Sequence, residues 1–159
     1  MKWVYNLITL QPKFKILITF KFVNISIVKK LLLVFLFCTM ISFGQEIRVV
    51  RVIDGDTFVI EGGERVRMIG INAPELKDIY GVESKNHLKT LIENKYVNLI
   101  KGDVTANKDY FKRLLRYVYL DSTDINLKMI EDGFASAYLK YPFSKSKQYK
   151  STFNYIKNN

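Results

Sequence analysis

The stretch IRVVRVIDGDTFVIEGGERVRMIGI, residues 47–71, decides the fold. Its β-branched residues fall into three runs: Ile47–Ile53, Thr57–Ile60 and Arg65–Ile71. Asp54-Gly55 separates the first two and Gly62-Gly63 the last two, and both dipeptides are turn formers. Three antiparallel strands joined by tight turns are therefore expected. Arg65–Ile71 reads as the third strand and alternates, with Val66, Met68 and Gly70 on one face and Arg65, Arg67, Ile69 and Ile71 on the other.

Working outward, Gly81–Asn94 changes period: Leu88, Leu91 and Ile92 recur at helical spacing. Tyr96–Ile100 and Leu114–Leu120 return to strand composition. Thr123–Asp132 reads as a helix, with Thr123 or Asp124 as its N-cap and Gly133 as its stop. Ser144–Ile156 reads as a more polar helix. Three strands, a helix, two strands and two helices form an α+β domain. Five short strands interrupted by a helix suit a small closed barrel of the OB type, which also removes strand edges.

Upstream of residue 46 the chain changes character. Lys29-Lys30 precede an apolar run from Leu31 to Phe43 that ends in Ser42-Phe43-Gly44 and Gln45, the layout of an export signal. The run is shorter than the roughly 20 residues a spanning helix needs. Residues 1–45 are thus expected to be an N-terminal export region, with the true start downstream of Met1, and residues 46–159 the folded domain. The expected destination is secreted or periplasmic, with membrane contact only through an uncleaved signal. The net charge of +10 divides unevenly: residues 1–45 carry six lysines and no acid, so residues 46–159 hold 19 basic and 15 acidic residues, a net of +4. The sole cysteine, Cys38, lies in the leader, and His87 is the sole histidine. Cysteine chemistry and a His-rich metal site are excluded from the domain.

Three segments carry candidate chemistry. Asp54-Gly55-Asp56-Thr57 puts two carboxylates at a turn, which can aim oxygens at a hard cation. Arg67 is followed five residues later by Asn72-Ala73-Pro74-Glu75. Asp109-Tyr110-Phe111-Lys112-Arg113 supplies a second arginine. Read singly, each is an ordinary turn, a solvated arginine or a surface carboxylate. Together they give carboxylates for a cation, one for a water, and two guanidinium forks matched to phosphate oxygens. That set suits phosphodiester hydrolysis.

On these residues the chain resembles the thermonuclease, or staphylococcal-nuclease-like, family from about Val49 to Phe143. The resemblance rests on Ile53–Thr57, Arg67–Glu75, Tyr80–Glu83, Arg113–Tyr119 and Asn126–Ala135 in order. It implies an OB-fold barrel with three helices, a Ca²⁺ cofactor, and endonucleolytic attack on DNA and RNA at the P–O5′ bond, leaving 3′-phosphate ends. It also implies roles: Asp56, Asn72 and the Ala73 carbonyl as metal ligands, Glu75 as the base or water-positioning carboxylate, and Arg67 and Arg113 on the phosphate. Asp54 would support the turn. The chain departs from the family pattern at Asn72, often aspartate there, and at Phe111-Lys112, usually tyrosine and glycine. Asn72 removes one negative charge from the metal site, and Phe111-Lys112 alter the approach to Arg113, with Arg116 the fallback arginine.

Tyr110, Tyr138, Tyr141 and Tyr149 are candidates for base stacking, and Lys77, Lys108, Lys112 and Lys140 for a phosphate track. DNA or RNA is the expected partner of a monomer with no stable protein partner. The alternative is a non-catalytic nucleic-acid-binding module on the same barrel.

Overall fold

The computed structural model describes residues 29, 30, 32, 46–103 and 106–158. The chain divides into two units, Met1–Phe43 and Gly44–Asn159, and the second carries everything below. Apart from Lys29, Lys30 and Leu32, the expected export region lies outside the described residues. Among the described residues no helix is long and apolar enough to cross a membrane.

Strands β1 (Glu46–Val52), β2 (Thr57–Ile60) and β3 (Arg65–Met68) form an antiparallel meander. The β2–β3 hairpin turns on Gly62 and Gly63, at φ 90° and 84°, a region open to glycine without a Cβ penalty. The β1–β2 register slips between Val49 and Arg51, a bulge that leaves Val50 half exposed and tightens the local twist. Strand β5 (Tyr96–Lys101) pairs with β1, and β6 (Leu114–Leu120) pairs with β5. Strand β6 also runs parallel to β3, with Val66 opposite Leu114 and Met68 opposite Arg116. That pairing closes the ring β3-β2-β1-β5-β6 into the expected five-stranded barrel. Val49, Phe58, Val66, Val97 and Val118 fill it with no exposed surface, so closure and core formation are one event.

The third strand is shorter than its composition suggests. It stops at Met68, Gly70 takes φ 76°, and Ile71–Asn72 (β4) pair instead with Ser136–Ala137 (β8). A Cβ on Gly70 would stand 2.6 Å from the Phe143 ring, so both conformation and space demand glycine there. The turn resets the alternation. Met68, Ile69, Gly70 and Ile71 are all buried, so Ile69 and Ile71 join the core rather than sharing a face with Arg67. Asn126, itself fully buried, secures the break: its Nδ2 donates to the Ile69 carbonyl (2.9 Å) and its Oδ1 accepts from the Val118 amide (3.0 Å).

Three helices complete the domain. Helix α1 (Gly81–Ile92) buries Leu88 and Ile92. Helix α2 (Ile125–Glu131) follows a two-residue strand, β7 (Thr123–Asp124), and is capped by Asp124, which accepts from the Leu127 amide. It is therefore shorter than the Thr123–Asp132 read from sequence, and Gly133 ends it at φ 79°. Helix α3 (Ser146–Asn158) covers the core with Tyr149.

Candidate active site

The barrel brings the three sequence segments to one place. The Asp54–Asp56 turn is self-supporting: the Asp54 carboxylate accepts the Asp56 amide at 3.0 Å, which is the supporting role expected of it. Gly55 has no room for a side chain, since a Cβ would meet Ser84 Oγ at 1.9 Å and Ala73 Cβ at 2.5 Å. The turn is thus pressed against α1 and the 72–75 segment, and that contact aims Asp56 inward.

Asp56 is 6% exposed. Its Oδ2 accepts the Ala73 amide at 2.9 Å and pairs with Arg67 Nη2 at 3.0 Å. Its Oδ1 accepts the Thr57 hydroxyl at 3.0 Å. Burial pushes the Asp56 carboxyl up to about 6, against the opposing pull of Arg67 and the Ala73 amide. Arg67 also donates from Nη2 to Asn72 Oδ1 (3.2 Å) and from Nη1 to the Met68 and Ile71 carbonyls (both 3.0 Å). Each Nη carries two N–H groups, so Asp56, Asn72 and two carbonyls engage all four.

Arg113 is arranged differently. Nε and Nη2 both reach Asp109 Oδ2 at 2.7 Å, and Nη1 donates to Thr57 Oγ1 at 3.1 Å. Burial works to raise the Asp109 pKa, but the bonds from Arg113 outweigh it and hold the carboxyl below the ordinary range. The Phe111 ring lies 5.3 Å from the guanidinium carbon. Lys112, between them, takes φ 63°, a conformation that disfavours any residue but glycine.

Arg67, Asn72, Asp109 and Arg113 line one cleft of about 870 Å³, with Tyr138 and Tyr141 on its wall. Tyr110 also lines it, 91% exposed, as does Lys108, which pairs with Glu64 at 2.6 Å. Tyr149 does not belong there. It is fully buried, and its hydroxyl donates to the Asp124 carboxylate in the α2–α3 packing. Its expected stacking role is therefore corrected to a core one. Arg116 turns Nη1 to the Leu115 carbonyl.

Glu75 is held by its backbone. Its carbonyl accepts the Asp78 amide at 2.8 Å and sits 1.9 Å from where a Gly81 Cβ would be, so the loop folds tightly before α1. Its side chain is exposed, and among the described residues no hydrogen bond or ion pair ties it to Asp56, Arg67 or Arg113.

For a metal, Asp56 offers a carboxylate and Asn72 an amide oxygen, and both converge on Arg67 Nη2. No group of three or more His, Cys, Asp or Glu is placed to hold a metal among the described residues. The oxygen-only donors fit a hard cation in kind, with a single carboxylate in charge. Two residues with no role assigned from sequence, Thr57 and Asp109, link the site into one network from Asp109 through Arg113, Thr57 and Asp56 to Arg67 and Asn72. The signals for them were the hydroxyl beside Asp56 and the carboxylate four residues before Arg113.

A closed five-stranded barrel with two arginines in one cleft and a buried carboxylate paired to one of them is an OB-fold protein. The chain belongs to the staphylococcal nuclease homologue family, whose model matches residues 65–158, more than half of it. It is 38% identical over 98 residues to an uncharacterized endonuclease of Haemophilus influenzae, covering 59% of this chain and 53% of that one. It is 36% identical over 98 residues to an uncharacterized endonuclease of Escherichia coli, covering 59% and 61%. With the thermonuclease of Staphylococcus intermedius it shares 35% over 111 residues, covering 64% and 65%. The matches span between about half and two thirds of these relatives.

Proposed function

We propose that the protein is an endonuclease that hydrolyses phosphodiester bonds of DNA, RNA or both, with a divalent cation, Ca²⁺, as cofactor. The observation that carries this reading is the convergence of Asp56, Arg67, Asn72 and Arg113 through one hydrogen-bonded network. Family membership and relatives named as endonucleases and thermonucleases support it.

Asp56, the Asn72 amide oxygen and the Ala73 carbonyl would hold the cation, which when bound supplies positive charge against the phosphoryl oxygens. Arg113 would grip the scissile phosphate, its remaining N–H groups matching the developing charge. Arg67 would neutralise Asp56 and lie in the same cleft beside the phosphate. Glu75 would align a water and take its proton for in-line attack on phosphorus. The bond to the 5′ oxygen would then break, that oxygen taking a proton from solvent, to leave a 3′-phosphate end and a 5′-hydroxyl end. Glu75 stands exposed, so this role would require its carboxylate to rotate toward the phosphate when substrate binds.

Digestion of DNA by the protein and by Glu75→Gln tests the mechanism. Glu75→Gln is expected to lower kcat by about 1,000-fold with DNA affinity retained. Cutting at the parent rate would reject Glu75 as the base. A parent protein that binds DNA and never cuts it would support the second reading, a binding module, which the detached Glu75 carboxylate favours.

Residues 1–45 are proposed to direct export to the periplasm or medium. N-terminal sequencing of the matured protein should then begin near Gln45. A mature chain that retains Lys29-Lys30 would contradict cleavage.

A further inference from the structure

We propose that Asp109 and Thr57 are positioning residues that together aim Arg113 at the phosphate. The proposal rests on the phosphodiesterase reading above. Arg113 stands just before β6 and directly after Lys112, whose backbone is left-handed at φ 63°. A strained approach of this kind needs outside fixing. Asp109 provides it twice. Its Oδ1 accepts the Arg113 amide at 2.9 Å, and its Oδ2 takes Nε and Nη2 at 2.7 Å. One carboxylate therefore sets the main chain and the guanidinium of the same residue. The Asp109 amide to the Arg113 carbonyl and the Lys112 amide to the Asp109 carbonyl, both 3.0 Å, close the loop around it.

Thr57 holds the other end. Its hydroxyl, on a residue 2% exposed, accepts Arg113 Nη1 at 3.1 Å and donates its one proton to Asp56 Oδ1 at 3.0 Å. That single hydroxyl fixes the spacing between Arg113 and Asp56. Among the described residues, these contacts engage three of the five guanidinium N–H groups and leave one on each Nη, enough for a bidentate phosphate contact. An exposed pair at this spacing would be a weak surface ion pair. Here the Arg113 and Asp109 side chains are 21% and 19% exposed, at the edge of the cleft.

Kinetics of DNA cleavage by the protein as expressed separate positioning from mere folding. Asp109→Asn turns an amide donor toward guanidinium donors and is expected to lower kcat on the order of 100-fold, with KM little changed. Thr57→Val is expected to lower kcat about tenfold, and Thr57→Ser to restore it. Since the Asp109 side chain acts through Arg113, Asp109→Asn should not lower kcat further in an Arg113→Ala background. Parent-like kcat in Asp109→Asn and Thr57→Val, or a further fall in the Arg113→Ala background, would overturn the proposal. A readout independent of cleavage is the ¹⁵N NMR signal of the Arg113 Nε–H, assigned by its loss in Arg113→Ala. It should be sharp and slow to exchange in the parent and lost in Asp109→Asn. Equal exchange in both would overturn the hold on Arg113 even if the protein cleaves nothing, whereas absence of cleavage with a held Nε–H would count against the nuclease reading alone.

Discussion

Arg67 and Arg113 line one cleft with equal charge, yet they differ in what they have left to offer a ligand. Arg67 gives both Nη groups to Asp56, Asn72 and two backbone carbonyls. Arg113 keeps one N–H on each Nη among the described residues. Sequence placed both arginines in the site, but their division of labour depends on partners that spacing does not show. Asn72 is the residue whose chemistry differs most in consequence from the family pattern. An amide oxygen can ligate a hard cation, but without a negative charge. Asn72→Asp is therefore expected to bind Ca²⁺ roughly tenfold more tightly in calorimetric titration. Equal dissociation constants would mean that the Asn72 side chain does not reach the ion.

At the scale of elements, the strands that build the barrel were legible because turn signals bounded them. Thr57–Ile60 and Leu114–Leu120 match their sequence readings residue for residue. The break at Ile69-Gly70 was not legible, because the alternation through Arg65–Ile71 fits one strand equally well. What ends it lies far along the chain: Phe143 against Gly70, and Asn126 on the Ile69 carbonyl. The core position of Tyr149 was not legible for the same reason, since the Asp124 carboxylate that accepts its hydroxyl lies 25 residues away. Helices α1 and α2 are joined by a polar staple: Asp132 accepts Lys128 at 2.6 Å and contacts His87 Nε2 at 2.7 Å, while His87 stacks on Phe134. Burial would raise the Asp132 pKa, but the Lys128 and His87 bonds prevail and lower it. A carboxylate with a depressed folded-state pKa adds stability above the ordinary aspartate range, and that stability is lost as pH falls through about 4 and below. Asp132→Asn should cost about 1 kcal/mol above pH 5 and flatten the acid limb of thermal unfolding. An acid limb identical to the parent would show that the staple contributes nothing.

For the whole molecule, charge turned out to be a poor guide and topology a good one. Most of the +10 belongs to the first 45 residues, and the domain carries only +4. A nucleic-acid substrate is therefore argued from a cleft, not from bulk attraction. The closed barrel makes that cleft by bringing the end of β3 beside the start of β6. The most direct test is cleavage of an end-labelled DNA oligonucleotide by the purified protein, with Ca²⁺ and with excess chelator. The account predicts internal cuts that leave 3′-phosphate ends, present with Ca²⁺ and abolished by the chelator. An oligonucleotide that stays intact at every Ca²⁺ concentration would contradict it.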